Sequence, residues 1–290
     1  MFKGSIVAIV TPFSNGRVDY EKLRELVEFQ IEGGTDAIVP CGTTGESSTL
    51  DYDEHLQVIK TVVAQVNRRV PVIAGTGSNS TAEAIELSQK AKEAGVDGVL
   101  LVTPYYNKPS QEGLFRHYMA VADGVAIPQI LYNVPGRTGV NLLPETVARL
   151  SGHRNIVAIK EATGSLQQAS EILALCGDKI DVFSGDDFIT FPMMACGAKG
   201  VISVLANIMP KAVGDLTDAF FAGDLATARR IHLETLKIGN AMFMESNPVP
   251  VKSALGLMGR CSDEVRLPLA PLSDANRAKL AVIMKEYGLI

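Results

Sequence analysis

The sequence predicts an α/β fold: a (β/α)8 TIM barrel over residues 1–223, followed by a C-terminal helical extension over 224–290. Three observations lead there. Short apolar runs alternate with amphipathic stretches, and eight such β-then-α units suit a closed barrel better than an open sheet. The runs are apolar on consecutive residues, as parallel strands covered on both faces are. Beyond Phe221 the strand signal stops and only helical patterns remain.

The strand candidates, in order, are Ser5–Val10, Ala37–Pro40, Val70–Ala74, Gly98–Thr103, Gln129–Asn133, Ile156–Lys160, Asp181–Ser184 and Gly200–Val204. Helical patterns lie between them, among them Tyr20–Glu32, Tyr52–Asn67 and Thr81–Ala94. In the last, Ala84, Leu87, Ser88 and Ala91 share one face at helical spacing. An internal echo supports the repeat: GTDAIV at 34–39, GVDGVL at 95–100 and GAKGVI at 197–202. Each reads as a glycine ending a helix in the left-handed region, a two-residue turn, and an apolar strand. The first two are spaced as two βα units of about 30 residues each. In the extension, Asp224–Gly239, Pro250–Met258 and Ser273–Tyr287 read as helices, with no linker that would let them move independently.

Bulk properties narrow the function. With 290 residues and 47% hydrophobic content the chain can bury a large core. Lys and Arg number 27 against 32 Asp and Glu, a net charge of −5 without any basic block, so nucleic acid is not an expected partner. The apolar run Ile6–Val10 is too short for a signal-peptide core, and no stretch is long enough to span a bilayer. Cys41, Cys176, Cys196 and Cys261 form no CxxC pair, and His55, His117, His153 and His232 never stand at HxxxH spacing. Neither a disulfide framework nor a zinc site is supported, and the expectation is a reduced, soluble, cytoplasmic protein without metal or cofactor.

In a barrel of this kind chemistry gathers at the C-terminal ends of the strands. Lys160 ends the sixth run, CGTTGES (41–47) follows the second, TPYYNKP (103–109) the fourth, LYNVPGRTG (131–139) closes the fifth and SGDD (184–187) the seventh. Hydroxyls, an arginine and a lysine thus converge on one rim. A strand-end lysine is ordinarily an ion-pair partner or a solvated terminus. Lysine can also do what no other side chain does well: its neutral amine adds to a ketone and forms an iminium, an electron sink for the adjacent carbon. Burial among Ile156, Val157 and Ile159 disfavours the ammonium, and a nearby phenol can carry the protons.

GTTGES at 42–47, YYNKP at 105–109, YNVPGRTG at 132–139 and IKEATG at 159–164 together resemble the dihydrodipicolinate synthase family, pyruvate-dependent aldolases related to N-acetylneuraminate lyase. The resemblance extends from GSIVAIVTPF at 4–13 to RLPLAPLS at 266–273. It implies condensation of pyruvate with L-aspartate 4-semialdehyde, giving 4-hydroxy-tetrahydrodipicolinate on the way to diaminopimelate and lysine. It implies Lys160 as the Schiff-base residue and Tyr132 as proton carrier. Thr43 would link Tyr132 to Tyr106, which a neighbouring subunit supplies. Thr44 would hold the pyruvate carboxylate, and loop amides entering a helix N-terminus suit an anion there. Gly185 and Ile202 would line the pocket through their backbones. Arg137 would grip the semialdehyde carboxylate, a role that suits the guanidinium fork; taken alone it reads first as a solvated turn residue, and the accompanying motifs reverse that. The resemblance further implies a homotetramer built from two dimers, and L-lysine bound as an effector near Ser47, Ser48, His55, Asn79, Glu83 and Tyr105. Tyr52 departs from sensitive relatives that carry a histidine there, and Glu83 also reads as a carboxylate complementing a helix dipole.

Other signals weigh less. GTGSNS at 75–80 imitates a dinucleotide fingerprint, but Ser80 replaces its third glycine; Ser80 reads as a helix cap. Asp186 and Asp187 read as a helix start, FPMMAC at 191–196 as core, and Cys41 as a small buried residue. The competing functions are a pyruvate-iminium lyase for a sugar acid, differing at Arg137, a nicotinamide oxidoreductase built on GTGSNS, and a non-catalytic binding protein.

Overall fold

Pairing between strands decides the architecture, and in the computed structural model, which describes residues 2–290, eight parallel strands pair side by side. They are β1 (Gly4–Ala8), β4 (Ala37–Val39), β5 (Ile73–Gly75), β6 (Gly98–Val102), β7 (Gln129–Asn133), β8 (Ile156–Glu161), β9 (Asp181–Ser184) and β10 (Gly200–Ser203). A small hairpin, β2 (Phe13–Ser14) and β3 (Arg17–Val18), follows β1. The order β4-β1-β10-β9-β8-β7-β6-β5 closes on itself through the Ile38–Val72 bridge and the 2.9 Å bond from Gly75 N to Pro40 O.

All eight expected strands form; Gln129–Asn133 and Asp181–Ser184 keep their expected bounds, and the others shift at one or both ends by a few residues. The third begins at Ile73, not Val70, because Pro71 has no N–H to give to a ladder and serves only as an acceptor, from Ile38 N at 3.0 Å. The sixth runs through Glu161, so Lys160 is its penultimate residue and not its last.

The helices are α1 (Tyr20–Glu32), α2 (Tyr52–Val66), α3 (Thr81–Glu93), α4 (Gln111–Gly124), α5 (Pro135–Thr138), α6 (Pro144–Leu150), α7 (Leu166–Cys176), α8 (Thr190–Cys196) and α9 (Pro210–Phe221). The extension adds α10 (Leu225–Ala241), α11 (Val249–Leu257) and α12 (Asp274–Glu286). Side-chain caps set the starts: Ser80 accepts from Glu83 N, and Asp51 with Glu54 forms a reciprocal capping box on α2.

The internal echo has a physical basis. Asp36 and Asp97, third in their motifs, each accept a backbone N–H of the neighbouring strand segment, from Ser5 and Val72, both at 2.8 Å. The glycines before them, Gly34 and Gly95, stand at φ +82° and +92°, which only glycine adopts without strain.

Why the strands are apolar on consecutive residues is now plain. Ile6, Val39, Leu100, Ile130, Tyr132, Ala158, Phe183 and Ile202 pack together inside the barrel. Their neighbours Val7, Ile38, Val99, Leu101, Leu131, Ile159, Val182 and Val201 join the layer between strands and helices. With a two-residue alternation, both faces of the barrel strands are covered.

Candidate active site

Lys160 shares the inward parity of Ala158, and β8 pairs with β7 so that Lys160 stands directly beside Tyr132. The lysine is 4% exposed, with Nζ 4.4 Å from the centre of the Tyr132 ring. Among the described residues Lys160 has no ion-pair partner. The next residue, Glu161, faces the opposite way. Its carboxylate accepts from Thr163 N (2.8 Å), Asn133 Nδ2 (3.1 Å) and Gln168 Nε2 (3.3 Å), while burial pushes its pKa upward. Asn133 also accepts from Leu142 N at 2.9 Å. This network ties the ends of β7 and β8 together and so fixes the Tyr132–Lys160 juxtaposition.

The loop after β4 carries the threonines. Cys41 and Glu46, at its two ends, both hold positive φ, +55° and +53°. The loop lies against β5: a Cβ on Gly75 would stand 2.1 Å from Cys41 O. Inside it, Gly45 N bonds Gly42 O (3.0 Å), Glu46 N bonds Thr43 O (3.1 Å) and Ser47 N bonds Gly42 O (3.4 Å). The amides of Thr43 and Thr44 enter none of these bonds. The expectation of a helix N-terminus at Thr44 needs correction: a short 3-10 turn, Ser47–Thr49, intervenes, and α2 starts only at Tyr52. Unpaired loop amides, not a helix N-terminus, stand at Thr43 and Thr44.

Thr44 is 2% exposed, and its Oγ1 accepts from Asn247 Nδ2 at 3.0 Å. Arg137 lies on α5, exposed, with Nη2 donating to the main-chain oxygen of the same Asn247 at 2.9 Å. Arg137 and Thr43 line a cleft of about 420 Å³ shared with Ser47, Ser48, His55, Glu83 and Tyr105. A recess of about 20 Å³ lies beside it, bordered by Thr43, Cys41 and Tyr132. Asn79 is absent from the cleft wall; its carbonyl accepts from Asn107 Nδ2 at 2.9 Å. Glu83 accepts from Ser78 Oγ at 2.8 Å, within the first turn of α3. His55 is buried with Nε2 bonded to Gly75 O at 2.8 Å, and burial lowers its pKa. Cys41 is buried too, its thiol pushed up by desolvation, with Sγ 3.5 Å from His55 O and no imidazole partner.

Gly185 follows β9 with N bonded to Glu161 O at 2.8 Å, and an added Cβ would come within 2.4 Å of Ala162 Cβ. Ile202 belongs to the inner cluster with Tyr132. Neither lines the cleft. Tyr106 is 89% exposed at φ +73°, away from the cleft wall. Within one chain no hydrogen bond joins Tyr106, Thr43 and Tyr132 among the described residues.

The acidic pair divides its labour. Asp186 is held up to about 6, chiefly by burial, with the Lys160 charge pulling it down. Asp187, expected to start a helix, does head the short turn Asp187–Ile189, but its buried carboxylate works elsewhere. It accepts from Ser203 Oγ (2.5 Å), Val204 N and Leu205 N (both 3.0 Å), pinning the end of β10.

Sequence reasoning missed the extension's share of the site. Besides Asn247, Lys252 on α11 is fully buried and pairs with Glu46 Oε1 at 2.7 Å. Arg266 N donates to Glu46 Oε2 at 3.1 Å, and its guanidinium clasps Glu54 through two bonds of 2.5 and 2.6 Å. No local pattern marks Asn247 or Lys252: SNPVP and VKSAL carry no motif, and their partners lie some two hundred positions away.

A barrel whose inner face bears a buried lysine beside a tyrosine, next to a loop with two unpaired amides, is the framework of an aldolase-type lyase. The chain belongs to the dihydrodipicolinate synthetase family, whose model matches residues 1–287. It is 86% identical to the 4-hydroxy-tetrahydrodipicolinate synthase of Geobacter sulfurreducens over 290 residues, all of both chains. Among solved structures, the chloride-inhibited dihydrodipicolinate synthase of Acinetobacter baumannii in complex with pyruvate is 50% identical, with a TM-score of 0.98 and both chains fully covered. A monomeric dihydrodipicolinate synthase variant is 43% identical at a TM-score of 0.98, covering 100% of this chain and 98% of the other. The lysine-bound enzyme of Cyanidioschyzon merolae is 40% identical at a TM-score of 0.96, covering 100% and 99%.

Proposed function

We propose that this chain condenses pyruvate with L-aspartate 4-semialdehyde to give 4-hydroxy-tetrahydrodipicolinate, a step of lysine biosynthesis through diaminopimelate. The observation that carries the reading is Lys160, buried beside Tyr132 at the mouth of the barrel without an ion-pair partner. The Nζ lone pair adds to the keto carbon of pyruvate, and the carbinolamine loses water to form the iminium. Loss of a C3 proton gives an enamine, whose C3 bonds to the aldehyde carbon of the second substrate. That substrate's amine then adds to the iminium carbon and expels Lys160, closing the ring. Carbinolamine formation and dehydration move protons on oxygen and nitrogen, enamine formation takes one from C3, and the Tyr132 phenol is the group assigned to carry them.

The remaining roles follow from position. Thr44, with the free amides of Thr43 and Thr44, receives the pyruvate carboxylate. Arg137 takes the carboxylate of the semialdehyde, and this favours that substrate over a sugar acid. Gly185, where a side chain would strike Ala162, keeps the backbone close to the lysine strand. Tyr106, exposed and held at positive φ, reaches a neighbouring subunit's Thr43, so the working form is an oligomer, a tetramer of two dimers. L-Lysine binds in the cleft lined by Ser48, His55, Glu83 and Tyr105 and lowers the rate. Residues 1–223 carry the chemistry, residues 224–290 complete the site, and the enzyme acts in the cytoplasm; no helix among the described residues is long and apolar enough to cross a membrane.

Borohydride reduction in the presence of pyruvate tests the core of this reading. A reduced pyruvyl adduct on the Lys160 peptide supports it, and an adduct on another lysine, or none, removes it.

A further inference from the structure

Asn247 is the one residue that bonds both carboxylate-binding groups, and it does so with two different parts of itself. Its side-chain Nδ2 donates to Thr44 Oγ1 at 3.0 Å, and its main-chain oxygen accepts from Arg137 Nη2 at 2.9 Å. The residue is 5% exposed and arrives from the extension, between α10 and α11. Its Oδ1 is buried with no hydrogen-bond partner. An unpaired buried acceptor is costly, and in a native fold it calls for a compensating role.

The direction of the side-chain bond supplies that role. A hydroxyl has one proton and two acceptor positions. Once Asn247 Nδ2 occupies an acceptor position of Thr44, the Thr44 proton stays free to be donated. A carboxylate can only accept, so a threonine whose proton was spent on the protein would be of little use to it. We infer that Asn247 is a positioning residue for pyruvate: its amide holds Thr44 in the rotamer and polarity that present the hydroxyl proton to the substrate carboxylate. This rests on the reading of Thr44 as the pyruvate carboxylate ligand. The Arg137 bond ends on the main chain, so the Asn247 side chain acts on pyruvate alone, while its backbone ties the two carboxylate subsites to one another.

The test is steady-state kinetics in both substrates for Asn247→Ala, Asn247→Asp, Thr44→Val and the double variant Asn247→Ala/Thr44→Val. Asn247→Ala should raise the pyruvate KM about five- to tenfold, the scale of one lost neutral hydrogen bond. The semialdehyde KM should change less than about twofold, since the main-chain acceptor survives. The near-isosteric Asn247→Asp should be worse for pyruvate than Ala, because a carboxylate cannot donate to Thr44 and draws the hydroxyl proton to itself. A purely packing role predicts the reverse order. In the Thr44→Val background, Asn247→Ala should cost little more. Equal rises in both KM values, a milder effect of Asp than of Ala, or full additivity in the double variant would overturn the inference while leaving Thr44's role intact. An inert Thr44→Val would bring down the reading of Thr44 and this inference together. If the Asp variant does not fold, the cycle with Ala and Val decides alone.

Discussion

Replacing Lys252 by methionine removes the cation from a pair whose side chains are 0% and 1% exposed. Burial alone would drive the Lys252 ammonium below its usual pKa range, and the Glu46 carboxylate is what pulls it back. Phe13 packs against both neighbouring cations, its ring centre 4.1 Å from Lys252 Nζ and 4.4 Å from the Arg266 guanidinium carbon. In Lys252→Met the Glu46 carboxylate stays buried with one remaining donor, Arg266 N at 3.1 Å. Leaving one partner of a buried pair uncompensated costs about 3–5 kcal/mol. Unfolding entropy of about 2.1 cal/mol/K per residue gives about 0.6 kcal/mol/K for this chain. The expected fall in Tm is therefore about 5–8 °C at neutral pH, read by scanning calorimetry. The second variant is the sharper check. Lys252→Met/Glu46→Gln carries no buried charge and keeps an acceptor for Arg266 N, so it should regain more than half of the loss. Glu46 closes the loop that bears Thr43 and Thr44, so Lys252→Met should also raise the pyruvate KM. A single variant within about 1 °C of wild type, or a double variant less stable than the single, would refute the reasoning.

Four further outcomes follow. Arg137→Ala should lower kcat/KM for aspartate semialdehyde roughly 10- to 100-fold, because the exposed guanidinium is partly solvated; the pyruvate KM should barely move, and equal effects on both substrates would reduce Arg137 to a scaffold role. His117 is 6% exposed and held down to about 4 by burial. Its unfolded value of about 6.5 is higher, so stability is full above that pH and falls as pH drops toward 4, by about 3 kcal/mol; His117→Gln should flatten this window in denaturant titrations. L-Lysine should inhibit partially, with relief in Glu83→Ala, and initial rates flat to tens of millimolar lysine would remove the effector site. Sedimentation of the active enzyme should show at least a dimer, and a fully active monomer would refute the sharing of Tyr106.

The legible part of the fold was the part governed by local periodicity. Gln129–Asn133 and Asp181–Ser184 were readable to the residue because turn and helix signals bound them closely. The start of β5 was not, since only pairing with β4 shows that Pro71 contributes an acceptor and Val72 a lone bridge. In the site, GTTGES, YNVPGRTG and IKEATG stood out because chain direction brings strand ends to one rim. Asp187 does start a helical turn as read, but its tie to the end of β10 was not legible, because a helix start and a tie to the next strand look alike in sequence. Asn247 and Lys252 gave no signal, and Arg266 appeared only as the start of RLPLAPLS without a role, because what makes them matter is a contact across some two hundred residues.

The two buried lysines show what separates chemistry from scaffolding once the contacts are known. Lys252 and Lys160 are 0% and 4% exposed, so burial does not distinguish them. Their partners do. Lys252 meets a carboxylate at 2.7 Å and lies over Phe13, an arrangement that rewards the ammonium and holds it to one place. Lys160 lies over Tyr132 with no carboxylate in ion-pair reach among the described residues, and Asp186, which feels its charge, is itself held up to about 6 by burial. An amine that must add to a carbonyl has to shed its proton and reach the substrate. A salt bridge opposes both, whereas a phenol at the ring edge can take the proton and return it. Lys160 has a phenol beside it and lacks a salt-bridge partner, while Lys252 has a carboxylate partner, and this difference in contacts supports the proposed reading of the first as nucleophile and the second as anchor.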